Sequence, residues 1–178
     1  MTRPALLAVL APLLACAGGG GVPGEALHDP YTERLVMTPY PPDAPWPQVT
    51  DSHTREGTLL QWAPPGSDPE RPAEVLTQQV SFGGQNGFPN MDERASCRSG
   101  DSLHGTEDGN DVFYAELTCD KGVTVFRKII RGHEALYFVS RSFSHPPSAQ
   151  ERRAIDAYLR DQVYLCPIAG GIGRCARR

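Results

Sequence analysis

Histidines and carboxylates are the side chains of this 178-residue chain that could support hydrolytic chemistry. The histidines are His28, His53, His104, His133 and His145. No two histidines lie four residues apart, and His133-Glu134 is followed by Ala-Leu-Tyr, so the H-E-x-x-H spacing of zinc proteases is absent. The G-x-S-x-G elbow of serine hydrolases is absent as well. The sequence therefore predicts no catalytic residue and no metal ligand set, while a metal held by distant histidines stays as an alternative.

Two further segments could bind ions or phosphates. Residues 101–111 collect oxygen-bearing side chains, and calcium takes 6–8 oxygen ligands. The spacing is not that of an EF-hand, and Asp108-Gly109 favours a simple turn. The glycines within residues 83–87 are not followed by Lys-Ser or Lys-Thr, as a phosphate-binding loop requires. The sequence therefore predicts no cofactor, and calcium bound by the acidic loop stays as the alternative.

The most specific pattern is Leu13-Leu14-Ala15-Cys16, at the end of an apolar run that begins at Ala5. It resembles the lipidation box of bacterial lipoproteins, in which a small residue precedes the cysteine and an aliphatic residue stands three before it. The run of about 11 residues is too short to cross a bilayer, which needs about 20. Residues 1–15 are therefore interpreted as a signal peptide. An ordinary signal peptide, cut near Ala15 or Ala17, is the alternative.

This resemblance implies how the rest of the chain is arranged. Cys16 would become the lipidated N-terminus, and Ala17 in place of aspartate favours the outer membrane, on its periplasmic side. Residues 16–45 are rich in glycine and proline and predict a tether. Residues 46–166 predict a single domain, and residues 167–178 a Gly/Arg-rich tail tied by a disulfide.

With Cys16 lipidated, four of the five cysteines remain: Cys97, Cys119, Cys166 and Cys175. An even number in an exported chain predicts two disulfides, with three connectivities open. We favour Cys97–Cys119 and Cys166–Cys175 because each pair closes a short loop. No pair has C-x-x-C spacing, so a thioredoxin-type redox site is not expected.

The formal net charge of −4 is mild, and no basic run indicates a nucleic-acid partner. Arg127 and Arg131 share one side of a predicted strand, and Arg141 lies on the next strand. These three arginines predict a basic patch for an anionic ligand or partner. The alternative is that they protect a sheet face or edge from aggregation.

The remaining pattern gives a coarse order of elements. Arg34–Met37 and Thr58–Trp62 predict short strands, and Trp46, between two prolines, is expected to pack against the domain. Residues 69–81 predict a helix, since Ala73, Leu76 and Val80 lie on one helical face. Residues 82–89 and 97–110 predict loops, and the first of these presents Phe82 and Phe88 as a recognition loop. The alternative is that both phenylalanines pack into the core.

The C-terminal half has the clearest pattern. Three apolar segments joined by two or three residues predict an antiparallel meander: Val112–Cys119, Val123–Arg131 and Ala135–Phe143. A helix follows, because Ser148 and Glu151 have the spacing of a capping box. Its apolar stripe consists of Ile155, Tyr158, Leu159 and Val163.

The order from Gln61–Gly66 through a helix to Gly132–Arg141 and a capped C-terminal helix resembles the PsbP-like α/β/α-sandwich superfamily. The resemblance covers roughly residues 46–166 and implies a non-enzymatic accessory or binding scaffold without a particular site. The predicted fold class is α+β: an antiparallel sheet with a C-terminal three-strand meander packed against helices.

The predicted function is that of a membrane-anchored exported lipoprotein. Its domain would be a non-catalytic accessory or binding domain of the cell envelope, with an envelope protein as partner. The alternative is an envelope hydrolase with scattered histidine and aspartate residues.

Overall fold

The computed structural model describes residues 33–68, 70–83 and 97–167. These residues form nine strands and one α-helix. Their bounds are β1 Glu33–Met37, β2 Gln48–His53, β3 Gly57–Trp62, β4 Glu74–Phe82, β5 Cys97–Glu107, β6 Asn110–Cys119, β7 Thr124–Arg131, β8 Ala135–Phe143, α1 Ala149–Asp161 and β9 Val163–Pro167.

Seven strands form one antiparallel sheet in the order β2-β3-β4-β8-β7-β6-β5. The other two, β1 and β9, pair with each other in a small second sheet. Strands hold 57% of the described residues and helices 13%. The predicted α+β class is therefore wrong: the described part is sheet-rich, with one helix on the sheet.

The predicted helix over residues 69–81 is in fact strand β4, which lies between β3 and β8. Leu76 and Val80 are four residues apart, a spacing that fits both a helical face and one face of a strand. Pairing on both sides decides in favour of the strand, because each neighbour supplies a hydrogen-bond ladder.

The prediction of a polar loop for residues 97–110 is also wrong, because most of this segment forms β5. Strand β5 lies at the end of the sheet order and, among the described strands, pairs only with β6. Polar side chains are common on such an edge strand. A turn with Asp108 and Gly109 at positive φ joins the two strands. At the other end, Cys97 and Cys119 stand opposite each other and form a disulfide, the pairing that short loops favour.

The folded part begins earlier than position 46. Strand β1 pairs with β9 over its whole length, so the described part of the expected tether belongs to the domain. Buried Glu33 accepts hydrogen bonds from the backbone N–H of His133 at 2.9 Å and from the hydroxyl of Tyr137 at 3.3 Å. A side chain on Gly132 would collide with this carboxylate, which explains glycine there.

The main core lies between the large sheet and α1. One face of the sheet contributes residues such as Leu76, Val112 and Phe143, and α1 contributes Ile155, Tyr158 and Leu159. A second apolar cluster of Ile129, Leu136 and Phe138 lies on the opposite sheet face. Because β-strand side chains alternate between faces, the apolar runs of β7 and β8 supply both clusters.

Several predicted elements are confirmed. The three-strand meander is β6-β7-β8, and β1 and β3 lie where short strands are predicted. The capping box is present, with Ser148 N–H donating to Glu151 at 2.7 Å and Glu151 N–H donating to the Ser148 hydroxyl at 3.2 Å. Residue 163 of the predicted helical stripe instead begins β9, because α1 ends at Asp161 and the chain turns to pair with β1.

One membrane prediction and one disulfide prediction concern residues of which the structure describes only a part. None of the described helices has both the length and the apolar character to cross a bilayer. Cys166 is disulfide-bonded, but Cys175 lies outside the described residues, as do the signal peptide, Cys16 and the tail beyond Pro167.

Candidate functional site

A buried arginine on β8 organises the most distinctive side-chain cluster of the described residues. Arg141 is only 5% exposed, and its guanidinium donates hydrogen bonds to the Tyr40 hydroxyl and to Glu74. The same guanidinium lies 4.7 Å from the ring centre of Tyr40, 5.1 Å from that of Trp46 and 4.4 Å from that of Phe143. Cation–π attraction therefore adds to the ion pair with Glu74.

The arginine network is incomplete. The Nε of Arg141 is buried without an acceptor among the described residues. Burial also raises the pKa of Tyr40 and of Tyr158, whose rings meet edge-on at 4.8 Å. Both phenols therefore stay neutral at physiological pH and act as hydrogen-bonding groups.

A proline-rich segment places two of these aromatic rings side by side. Residues 38–47 fold back on themselves, with Trp46 N–H donating to the Tyr40 carbonyl at 2.9 Å. The two rings then meet edge-on at 5.3 Å. Tyr158 on α1 fixes the start of the segment, because its hydroxyl donates to the Thr38 carbonyl at 2.8 Å.

Beside this cluster lies a cavity of about 300 Å³, which we call the aromatic cavity. Its lining consists of Met37, Thr38, Pro39, Tyr40, Pro45, Trp46, Trp62 and Leu76. None of these side chains carries a charge, and both tryptophans of the chain are among them. A concave, apolar site with a few polar groups is the usual form of a small-ligand pocket.

The polar side-chain groups among the lining residues are two indoles, one hydroxyl and one phenol. Among the described residues, no acceptor lies on the indole N–H of Trp46 or of Trp62. The Thr38 hydroxyl already donates to Gln162 at 3.2 Å, and the Tyr40 hydroxyl accepts from Arg141. With no charged side chain in its lining, the cavity suits a neutral group held by contact with its aromatic rings.

A second cavity of about 380 Å³ lies between α1 and strands β5–β7. Its charged side chains are largely paired with each other: Arg152 binds Glu116, and Arg160 lies 3.0 Å from Asp156. Asp156 hydrogen-bonds Arg160 and thereby raises its pKa. This groove is bordered by Leu103, which is 52% exposed.

A third charged group, Lys128 on β7, is completely buried and joins the sheet to the end of α1. Its ammonium donates to Glu107 at 2.7 Å and to the Leu159 and Val163 carbonyls at 2.9 and 2.7 Å. Tyr114 donates to the other oxygen of Glu107 at 2.5 Å. All three ammonium hydrogens have acceptors, so this network serves the architecture.

One group of side chains has the composition of a metal site. Ligand atoms of Glu74, His145 and Glu151 all lie within 4.8 Å of one another. Glu74, however, binds Arg141, and Glu151 accepts from Ser148, whose hydrogen bonds lower the Glu151 pKa. These are the residues that could hold a metal, but both carboxylates already have protein partners.

The basic patch predicted from Arg127, Arg131 and Arg141 is not formed. In the β7-β8 register, Arg127 stands opposite Ser140, whereas Arg141 stands opposite Phe126 on the other face. Arg131 lies 3.8 Å from Asp111, and burial lowers the pKa of Arg127. The prediction failed because strand spacing alone does not give the register between strands.

The other predicted site residues are also dispersed. Phe82 packs against the main core at the end of β4, and Phe88 lies outside the described residues. His104 contacts the Phe113 ring at 4.5 Å, and His133 lies in the β7-β8 turn. No histidine lines either cavity described above. His145 lies with Glu74 and Glu151, and exposed His53 lies 2.7 Å from Asp51.

The sequence interpretation missed the aromatic cavity because its residues come from four separate segments. One prediction concerned a residue of this cavity: Trp46 is predicted to pack against the domain, and the structure confirms that packing. Nothing in the spacing of Trp46 and Trp62 indicates that they share a cavity.

Comparison with known proteins gives no match, either to a family model or to a curated protein. The resemblance to the PsbP-like superfamily stays a prediction, and the helix at residues 69–81 on which it partly rests is replaced by β4.

Proposed function

We propose that this protein is an exported, lipid-anchored binding domain of the bacterial envelope, and that the aromatic cavity receives its ligand. The observation that carries the binding role is the meeting of both tryptophans, Tyr40 and two prolines around one uncharged cavity. Aromatic side chains give large contact areas at low entropic cost, which is why they are common in recognition sites.

The anchored location rests on Leu13-Leu14-Ala15-Cys16. Cys16 would carry the acyl chains, with the periplasmic face of the outer membrane as the proposed location. Several chains together hold a protein stably on a membrane, since each buried CH₂ contributes about 0.8 kcal/mol. An envelope protein is the proposed partner.

A non-catalytic role is favoured over a hydrolase by the arrangement of side chains. A general base must lie within hydrogen-bond reach of a bound substrate. The lining of the aromatic cavity contains no histidine, carboxylate or cysteine. His145 lies with Glu74 and Glu151 instead, and these acids are engaged in an ion pair and a helix cap.

Site-specific photocrosslinking in cells producing the full chain tests this proposal. Pro45→p-benzoylphenylalanine places a crosslinker at the exposed rim of the aromatic cavity, and Leu103→p-benzoylphenylalanine is the control on a distant exposed site. We expect a discrete adduct from position 45 alone, on a membrane-associated protein whose Cys16 peptide is acylated. No adduct from position 45, equal adducts from both positions, or an unacylated soluble product would contradict the proposal.

A further inference from the structure

Three side chains outside the aromatic cavity come together at one end of the large sheet, next to the start of α1. Glu74 is the first residue of β4, His145 follows the end of β8, and Glu151 lies in the first turn of α1. Their ligand atoms all lie within 4.8 Å of one another, and none of the three lines the aromatic cavity. Besides thiolate, imidazole nitrogen and carboxylate oxygen are the ligands that zinc takes in proteins.

The backbone places two of these side chains next to each other. Glu74 stands opposite Phe143 in the pairing of β4 with β8, and just beyond it the Ser144 N–H donates to the Ala73 carbonyl at 2.8 Å. The Phe143 ring meets the His145 imidazole edge-on at 5.7 Å. His145 therefore leaves the end of β8 from a fixed point beside Glu74.

Each carboxylate uses one oxygen on a protein donor and keeps the other for a ligand. Glu74 accepts from Arg141 through Oε2, which leaves Oε1. Glu151 accepts from the Ser148 backbone N–H through Oε2 at 2.7 Å, and its Oε1 lies 3.7 Å from Nε2 of His145. Metal-binding carboxylates are themselves hydrogen-bonded by outer partners, which orient them. The ion pair and the helix cap are therefore compatible with metal binding.

The spacing suits a small cation held by three protein atoms. Two ligands of a tetrahedral zinc ion, each about 2.0–2.2 Å from the metal, lie about 3.4 Å apart. The His145–Glu151 distance of 3.7 Å is close to this value, and the His145 side chain, 45% exposed, can rotate to close the remaining gap. Calcium takes 6–8 oxygen ligands, more than two carboxylates and an imidazole provide.

We infer that Glu74, His145 and Glu151 form a binding site for Zn²⁺, in which water takes the fourth position. This inference goes beyond the proposed function and does not depend on the aromatic cavity. A bound ion ties the start of β4 and the end of β8 to the first turn of α1. Because the Arg141 guanidinium offsets the charge of Glu74, the expected affinity is moderate, with a Kd of about 1–10 µM.

Isothermal titration calorimetry of the full, untagged chain with ZnCl₂ tests the site, after treatment with EDTA and buffer exchange. We expect saturable binding with the stated Kd. The urea concentration at the unfolding midpoint should also rise with Zn²⁺, because a cation that binds the folded state stabilises it. The matched control cation is Ca²⁺ at the same concentrations, which should give neither effect.

Variants locate the binding. His145→Ala removes one ligand at an exposed position, and Glu151→Gln keeps the shape of the cap while removing the charge of another ligand. Loss of an outer partner alone usually costs 10–100-fold in metal affinity, so His145→Ala should weaken Zn²⁺ binding at least about 30-fold and Glu151→Gln at least about tenfold. The matched control is His53→Ala, since His53 is also exposed and lies 2.7 Å from a carboxylate, that of Asp51. It should bind Zn²⁺ like the native chain, and circular dichroism of all three variants should show native secondary structure.

The outcomes separate this inference from the proposed function. Absence of saturable Zn²⁺ binding, or equal affinity in His145→Ala and His53→Ala, would overturn the inference. Stabilisation by Zn²⁺ that persists in His145→Ala, or equally tight binding of Ca²⁺, would also overturn it. The crosslink from position 45 tests the proposed function separately, because Pro45 lines the aromatic cavity and is not one of the three ligands.

Discussion

The sheet carries two buried cations, Lys128 at the C-terminal end of α1 and Arg141 beside the aromatic cavity, and their partners differ. At the C-terminal end, Lys128 uses all three ammonium hydrogens on Glu107 and two backbone carbonyls. Beside the aromatic cavity, Arg141 binds Glu74 and Tyr40, while its Nε has no described acceptor and its guanidinium contacts three aromatic rings.

The difference separates a structural site from a candidate functional one. A fully satisfied polar network fixes one arrangement of the elements around it, because any change leaves buried groups unpaired. The arginine network instead borders an uncharged cavity, so binding can occur there without breaking the core. Partial satisfaction and an adjoining cavity together mark the surroundings of Arg141 as the place for recognition.

Removing Lys128 should give the largest loss of stability. Lys128→Met leaves the Glu107 carboxylate and the carbonyls of Leu159 and Val163 without their common donor. Breaking a buried pair in this way costs about 3–5 kcal/mol, measured as the free energy of unfolding in urea.

The matched control for this variant is Arg153→Met, at an exposed position of α1 without a described ion pair. It should stay within about 0.5 kcal/mol of the native chain. A loss below about 1 kcal/mol for Lys128→Met would show that the network is not what holds α1 to the sheet.

Removing Arg141 should cost less but change the cavity. Arg141→Met removes the hydrogen-bond donor of the Glu74 carboxylate and of the Tyr40 hydroxyl, which must then bind water. We therefore expect the free energy of unfolding to fall by about 1–3 kcal/mol. Because Arg141 contacts the Trp46 ring, the tryptophan emission maximum should shift in this variant and not in Lys128→Met. Equal emission spectra in the two variants would remove the distinction between the surroundings of the two cations.

The sequence predicts the local parts of this fold well. The capping box, the apolar stripe of α1 and the strands β6–β8 depend on residues close in the chain. The polar strand β5 carries no apolar period of its own, although its partner β6 is next in the chain, and the sequence pattern therefore predicted a loop there. The pairing of β1 with β9 joins the two ends of the described chain, so β1 was predicted as a strand but placed within a tether.

The candidate site was less predictable for the same reason. Lys128 has partners 21, 31 and 35 residues away, and Arg141 reaches Tyr40 across 101 residues. In the sequence, both cations look like surface charges on a strand. Only the register of the sheet shows that they point toward the helix side and away from Arg127.

The smallest predicted effect concerns the helix cap next to the Arg141 network. Ser148→Ala removes the side-chain acceptor of Glu151 N–H and should cost about 1 kcal/mol of unfolding free energy at neutral pH. A loss as large as that of Lys128→Met would contradict the ranking of this cap below the two buried cations.

The same cap gives a pH dependence whose sign follows from the Glu151 carboxyl. Hydrogen bonds from Ser148 lower its pKa in the folded chain, so the unfolded chain takes up a proton more readily. The stabilisation from ionised Glu151 is therefore present above the unfolded carboxyl pKa of about 4.3 and is lost as pH falls through the lower folded value. Unfolding free energies of the native chain and of Glu151→Gln, which keeps the capping shape, should converge between about pH 5.5 and pH 2.5. A constant difference across that range would show that the charge of Glu151 contributes nothing and that the cap acts through hydrogen-bond geometry alone.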